Sequence, residues 1–388
     1  MLFSKKTAIR VQDYNILRMY VFSLYTIISL VAGFFPLYFS VIGFSNVQIG
    51  FIYSIGPLVS IFSNLLWGII SDKYRTIKKV LLILLIGQLI MTLLLTQTTS
   101  FAVICVMMIL FNFFYFPLNP LADTLAIMTM QERGKNFMTV RIFGSLGFAV
   151  SSLVIGFILK QNGAHITLWV CLILTGMAMI IALFLTDKSG SVKKMEFGGL
   201  LEVLKKREVI WFFIFVLFVA VAHRFNDAFL SPVLRQMGAN ENTVGWALAA
   251  SSISEMPVFF LLSRYGSNLK ELPLLAIASF MYGIRFLLMS LVTDPTWVIA
   301  IQAMHSVSFG IYYFTAIRYV TQIIPEEYRA TGLALFTIVW SSIAGLISGT
   351  LGGSLLDINK EVFYMMAMAL AFIGSIGFMT RHLVSKNA

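Results

Sequence analysis

The chain has 388 residues, 59% of them hydrophobic and only 12% charged, with a mean hydropathy of +0.89. Soluble domains carry about 25% charged residues, so the composition excludes a water-soluble globular protein and points to an all-α polytopic membrane protein. The formal net charge of +11 is not a nucleic-acid signature, because the basic residues cluster in short segments between apolar runs, where they face anionic lipid.

Apolar runs of roughly 20 residues between polar punctuation predict membrane spans. In chain order they fall near 15–38, 46–70, 78–97, 100–128, 138–160, 166–185, 209–235, 242–263, 271–292, 295–321, 331–353 and 361–380. The first run follows Lys5, Lys6 and Arg10 and lacks a small-residue cleavage site, so it reads as a retained span and not a leader. The twelve expected spans divide at a Lys-, Ser- and Gly-containing stretch. This predicts an amino-terminal six-helix bundle (1–186), a cytoplasmic linker (187–208) and a carboxy-terminal six-helix bundle (209–388).

The joining segments carry a one-sided charge bias. Lys73, Arg75, Lys78, Lys79, Arg133, Lys135, Lys205, Lys206, Arg207, Arg264, Lys270, Arg329 and Arg381 fall on the side shared with both termini. Only Lys160, Arg235 and Lys360 fall on the other. By the positive-inside rule both termini are expected in the cytoplasm, in a bacterial inner membrane. Cys105 and Cys171 lie within apolar runs, which argues against a disulfide framework or thiolate metal site. No phosphate-binding glycine loop, zinc-binding helix motif or extramembrane domain is present, so neither an ATP-driven pump nor an enzyme is expected, and no cofactor or metal.

Charges inside apolar spans are expensive unless they line a polar path, and they mark solute or proton pathways. Asp123 and Arg141 occupy the fourth and fifth spans, and Arg224 and Asp227 the seventh. Glu255 lies in the eighth, Arg285 in the ninth and His305 in the tenth. Asp123 and Arg141 can neutralise one another until a solute hydroxyl or carboxylate competes for the guanidinium; a fixed structural ion pair is the other reading. Pro117 and Pro120, with Asn112 and Asn119, interrupt the fourth span, either bordering a cavity or as plain kinks. Asn112, Tyr115 and Phe148 neighbour these polar positions and are candidate solute contacts. Arg224 and Asp227, three residues apart, can pair along one helix face. A carboxylate such as Glu255 exchanges a proton when a conformational change alters its contact with Arg285, and Asp123 is the alternative titrating group. His305 beside an arginine is expected neutral and hydrogen-bonded, or simply interhelical glue. The run from Gly68 through Asp72, Lys73 and Arg75 reads as either a gating turn, with Gly68 admitting a neighbouring helix, or a solvated interfacial turn. Arg318 near the cytoplasmic interface reads as structural. Gly332, Gly345, Gly349, Gly352 and Gly353 supply a small face for close helix packing.

The Gly-x-x-x-Asp-Lys-x-Arg turn between the second and third spans resembles the signature loop of the major facilitator superfamily. That implies two six-helix bundles about a central cavity, working by alternating access. The wording from Phe111 to Asp123 and from Val140 to Phe148 is similar to the lactose permease-like branch, closest to its bacterial phenylpropionate permease-like members. That branch places a carboxylate and an arginine eighteen residues apart on its fourth and fifth helices to hold substrate, as Asp123 and Arg141 stand here. Phe148 replaces the tryptophan that stacks on sugar. The resemblance also implies a proton-coupling cluster of Glu255, Arg285, His305 and Asp227, with Ser308 in place of a carboxylate one turn beyond the histidine. The expected function is proton-coupled symport of a small polar solute (a sugar, nucleoside or aromatic acid) by a monomer, with multidrug or metabolite efflux as the alternative.

Overall fold

The computed structural model describes residues 2–135, 137–188, 205–265, 269–325 and 328–387, and those residues are helices joined by short turns, with no strand among them. The expected linker is described only at its two ends, and residues 326 and 327 lie outside the described residues. The helices are α1 (Leu2–Gly33), α2 (Phe35–Val41), α3 (Asn46–Lys73), α4 (Ile77–Leu95), α5 (Phe101–Tyr115), α6 (Leu118–Gln131), α7 (Met138–Asn162) and α8 (Thr167–Leu183). They continue with α9 (Arg207–Gln236), α10 (Glu241–Tyr265), α11 (Glu271–Leu291), α12 (Pro295–Ala303), α13 (Ile311–Ile323), α14 (Arg329–Thr337), α15 (Ala344–Ile358) and α16 (Lys360–Asn387). Eleven segments among the described residues are long and apolar enough to cross a bilayer.

Most breaks within these segments follow from backbone chemistry. Pro36 enters the first turn of α2 and separates it from α1, while Pro117 caps α6 after α5 ends at Tyr115. The expected run 295–321 is not one helix. It is α12, a π turn over Ser306–Gly310, and α13, each too short to span alone. A second π turn, Ile338–Ile343, separates α14 from α15. Such widened turns redirect side chains and often sit at functional positions.

The chain forms two compact units, Met1–Ile42 with Val59–Lys193, and Gly43–Leu58 with Lys194–Ala388, so the division falls inside α3. In the first unit α1 packs against α7 and α8, and α4 against α5, α6 and α8. A Cβ on Gly147 would lie 2.5 Å from the Phe22 carbonyl oxygen, so only glycine lets α7 come this close to α1. Ser29 and Ser152 share a buried hydrogen bond of 2.8 Å across the same contact. Gly68 meets no such neighbour, since a Cβ there has nothing within 4 Å.

The amino end of α4 is held by a carboxylate from beyond α8. Asp187 accepts the backbone N–H of Ile77 (3.0 Å) and Lys78 (2.9 Å) and the Thr76 hydroxyl, while Lys188 pairs with Glu132. Burial alone would raise the Asp187 carboxyl, but the Thr76 hydroxyl and the N–H groups of Lys78, Lys188 and Ile77 outweigh it and hold it below its ordinary value. A depressed folded value means that this stability is fully present above the unfolded value of about 3.9 and is lost as pH falls through the folded one. Asp187→Asn is expected to lower stability at neutral pH by about 1 kcal/mol or less, since the carboxylate is exposed. Thermal melts in detergent at pH 7 and pH 3 check this: the gap between variant and parent should narrow at the lower pH.

In the second unit α11 and α16 pack along much of their lengths, and α9 packs against α15 and α16. The small face expected on residues 345–353 is used here. A Cβ on Gly349 would lie 2.6 Å from the Gly50 carbonyl oxygen and 2.7 Å from the Ser54 nitrogen, and one on Gly345 would lie 2.6 Å from Pro57. Asn46 donates to Asp357 at 2.7 Å along the same contact. Gly349→Val forces these backbones apart, with an expected loss of about 2 kcal/mol. A Tm decrease in Gly349→Val well beyond that of the control Gly176→Val, where a Cβ meets nothing within 4 Å, checks it.

Candidate functional site

The first unit carries an arginine with free bonding capacity. Arg141 leaves α7 with its guanidinium carbon 4.5 Å from the centre of the Tyr25 ring of α1. Gly144, one turn further along α7, makes this possible, because a Cβ there would lie 2.8 Å from the ring and 2.9 Å from Arg141 Nη1. Nη1 is buried and has no hydrogen-bond partner. No hydrogen bond or salt bridge joins Arg141 to Asp123 among the described residues, although the guanidinium is near enough to act electrostatically on the carboxylate.

Asp123 stands on α6, half-buried, and Asn119 one turn before it has a buried Oδ1 without a partner. Asn112 is buried at the end of α5, where the Tyr115 ring stacks on Phe111 at 5.5 Å. Phe148 is half-buried on α7. A buried donor and a buried acceptor both left unbonded are costly in an apolar interior. A hydroxyl can serve either atom, donating to Asn119 Oδ1 or accepting from Arg141 Nη1, whereas a carboxylate can only accept from the arginine. Neither Tyr25 nor the unbonded state of Asn119 was legible in the sequence, where Tyr25 is one aromatic within an apolar run.

The second unit gathers its intramembrane charges into one network. Arg285 is 1% exposed and donates through Nη1 to His305 Nδ1 at 2.8 Å and through Nη2 to Gln302 Oε1. The other face of His305 meets Glu255, with Nε2 to Oε1 at 2.8 Å. A guanidinium only donates, so Nδ1 accepts and the ring proton is on Nε2, aimed at the carboxylate. His305 thus links the Arg285 guanidinium to the Glu255 carboxylate through its two ring nitrogens. Gln302 continues the network by donating to Asn226 Oδ1 at 3.4 Å, and Tyr364 donates to the same oxygen at 3.3 Å. Ser308 takes no part, as its hydroxyl bonds back to the carbonyls of Met304 and His305.

A parallel arrangement lies beside it. Asp227 Oδ2 is 3.1 Å from His223 Nε2 and 3.5 Å from Arg224 Nη1. Arg224 also donates to the Ser341 hydroxyl (2.9 Å) and the Trp340 carbonyl (3.4 Å), both in the second π turn. The His223 and His305 rings are 5.6 Å apart, and Phe309 stacks on each, at 5.0 and 4.7 Å. Trp340 covers His223 at 5.2 Å. With both imidazoles neutral, the two arginines and two carboxylates sum to zero charge, which is what a low-dielectric site tolerates.

The other expected residues have simpler settings. Arg318 pairs with Glu271 and donates to the Leu269 carbonyl, a structural role. Asp72 and Lys73 close α3, and Arg75 adopts a left-handed conformation (φ 52°) that turns the chain into α4. No hydrogen bond or ion pair of the Asp72 side chain occurs among the described residues.

The chain is similar over most of its length to named transporters. The maltose permease of Geobacillus stearothermophilus is 24% identical over 81% of this chain and 80% of its own. A probable 3-phenylpropionic acid transporter of Escherichia coli (strain K12) is 23% identical over 86% and 89%. The crystal structure of a mutant of the nucleoside transporter NupG superposes with a TM-score of 0.86 at 17% identity, covering 95% of this chain and 99% of that one. The model of the MFS_1 like family matches residues 14–367, and the chain therefore belongs to that family, with the major facilitator fold.

Proposed function

We propose that the protein is a proton-coupled symporter of a small polar solute: a sugar, a nucleoside or an aromatic acid. It is a secondary transporter of small solutes and not an enzyme. The observation that carries the coupling is the bridge Arg285–His305–Glu255, an ionisable carboxylate held at hydrogen-bond distance by a neutral imidazole in a buried network. Arg141, with Asp123, Asn112, Tyr115 and Phe148 on neighbouring helices, receives the solute, whose oxygens satisfy the unbonded guanidinium. The substrates named for the relatives (maltose, 3-phenylpropionate and nucleosides) all present hydroxyl or carboxylate oxygens beside an apolar ring face.

In this reading the broken run from Pro295 to Ile323 completes twelve crossings, arranged as six-span halves on either side of 187–208. Both termini face the cytoplasm of a bacterial inner membrane, as the basic residues imply, and one chain suffices. Gly68, Asp72, Lys73 and Arg75 form the cytoplasmic turn whose contacts change between outward- and inward-open states.

The test is uptake of radiolabelled maltose, uridine and 3-phenylpropionate into proteoliposomes with and without an inward proton gradient. Accumulation of one solute only with the gradient supports symport. Gradient-independent equilibration, or accumulation only with the gradient reversed, overturns it in favour of facilitated diffusion or efflux.

A further inference from the structure

We propose that Arg18, Tyr14 and Lys135 form a phosphate-binding site at one membrane edge of the first unit, with the headgroup of an acidic phospholipid as the source that its position favours. Arg18 stands one turn into the first span, which begins at Tyr14. Helical side chains lean toward the amino end, so its guanidinium comes back beside Tyr14 and not inward toward Tyr25. The guanidinium carbon lies 3.7 Å from the centre of the Tyr14 ring and 4.8 Å from that of Phe143 on α7. Lys135, in the turn between α6 and α7, brings its ammonium to 4.6 Å from the same Tyr14 ring. The site is separate from the one at Arg141, because Tyr14 and Tyr25 are about 16 Å apart along α1 at 1.5 Å per residue.

Two cations share one ring here, and no carboxylate pairs with either among the described residues. The acid of the α6–α7 turn, Glu132, is taken by Lys188. A ring face offsets part of a positive charge without neutralising it, and the two cations repel one another across about a Debye length. Hydrogen-bonding capacity is left over as well. The Tyr14 hydroxyl accepts from Arg18 Nη2, and since a guanidinium only donates, the hydroxyl keeps its own proton to give. That is the one hydrogen bond of Arg18 among the described residues, and its Nε is sealed from solvent without a partner. An arginine that merely snorkelled would keep all its donors in water. With Nε turned in and the Tyr14 and Phe143 rings fixing the guanidinium plane, the terminal nitrogens are the edge left for a ligand. An anion there meets the arginine fork, the ammonium and the phenolic O–H together. Phosphate suits three such donors, because its oxygens form a tetrahedron whereas those of a carboxylate lie in one plane. The level fits too: Tyr14 opens its span and Lys135 lies just outside α7, where headgroups lie. The charge bias of the joining segments puts this edge on the cytoplasmic side, whose leaflet carries acidic lipid.

Native mass spectrometry of the full chain released from detergent reads bound lipid directly, with phosphatidylglycerol or phosphatidylcholine added and inorganic phosphate as competitor. The parent is expected to hold phosphatidylglycerol about tenfold more tightly than phosphatidylcholine, whose choline cation meets the same two positive charges. Arg18→Gln combined with Lys135→Gln is expected to remove that preference. Lys135 is exposed, so Lys135→Gln alone should fold and already lower it a few-fold. Tyr14→Phe keeps the ring but gives up the donated hydrogen, and a few-fold loss is expected there too. Lys205→Gln with Lys206→Gln removes two exposed cations from the same side and should leave the preference unchanged. Displacement of phosphatidylglycerol by millimolar inorganic phosphate, or phosphate adducts that vanish in the Arg18–Lys135 double variant, keeps the site and gives it to a free phosphate. The proposal is overturned when neither lipid nor phosphate binding changes in that double variant, or when the Lys205–Lys206 control changes it as much. No solute enters the measurement, so its result is independent of the symport reading.

Discussion

Glu255→Gln is expected to abolish gradient-driven accumulation while sparing exchange of solute down its own gradient. The side-chain amide is nearly isosteric with the carboxylate, and its oxygen still accepts from His305 Nε2, so the bridge to Arg285 keeps its geometry. What it loses is the ability to gain and release a proton. The variant therefore holds the network permanently in the charge state that protonation of Glu255 produces, with Arg285 no longer balanced. A driving force of 100 mV is worth about 2.3 kcal/mol per proton, or roughly 50-fold accumulation at 1.4 kcal/mol per tenfold. In proteoliposomes the parent should approach that ratio and Glu255→Gln should fall to equal concentrations on both sides. Counterflow, in which labelled solute enters against unlabelled solute, should survive within a few-fold. Undiminished accumulation in the variant would remove Glu255 from the coupling step, leaving Asp123 or Asp227 to perform it.

Eleven of the spans were legible from apolar run length, because an uninterrupted apolar run of about 20 residues satisfies its backbone groups in a bilayer as a helix. Interruption at Pro117 was legible too, since proline announces itself. The break after Ala303 was not. A π turn needs no special residue, and Met304-His305-Ser306 reads as uninterrupted helix. The grouping of Glu255, Arg285 and His305 could be inferred because charges are rare in this chain and must find each other. Gln302 and Tyr282 escaped notice for the opposite reason: a glutamine and a tyrosine are unremarkable in a helix until the structure shows the first accepting from Arg285 and the second bonded to His223. Sign and spacing paired Asp123 with Arg141, and the two do interact electrostatically, but no direct salt bridge joins them among the described residues. Opposite charges on adjacent helices satisfy a counting argument, but the space left by Gly144 steers the guanidinium onto Tyr25.

That geometry makes Arg141 the position with the largest expected effect on solute affinity. Arg141→Lys preserves the positive charge but replaces a flat, forked donor with a compact ammonium that neither lies over the Tyr25 ring nor presents two parallel N–H groups. A hydrogen bond between charged partners contributes about 1.5–3 kcal/mol, so the apparent affinity should fall by roughly 10- to 150-fold. Folding should change little, because Arg141 Nη1 bonds to no protein group that the substitution would strand. Asp123→Asn supplies the contrast. Were the two side chains a structural ion pair, removing either would destabilise the protein by several kcal/mol and the double variant would recover part of the loss. With no such pair in the solute-free protein, the two substitutions should be additive in thermal stability yet strongly coupled in the concentration of solute giving half-maximal uptake, where one bound molecule engages both. Stability coupling of more than about 1 kcal/mol between Asp123→Asn and Arg141→Lys, with uptake constants unaffected, would identify the constellation as scaffold and place solute recognition elsewhere in the chain.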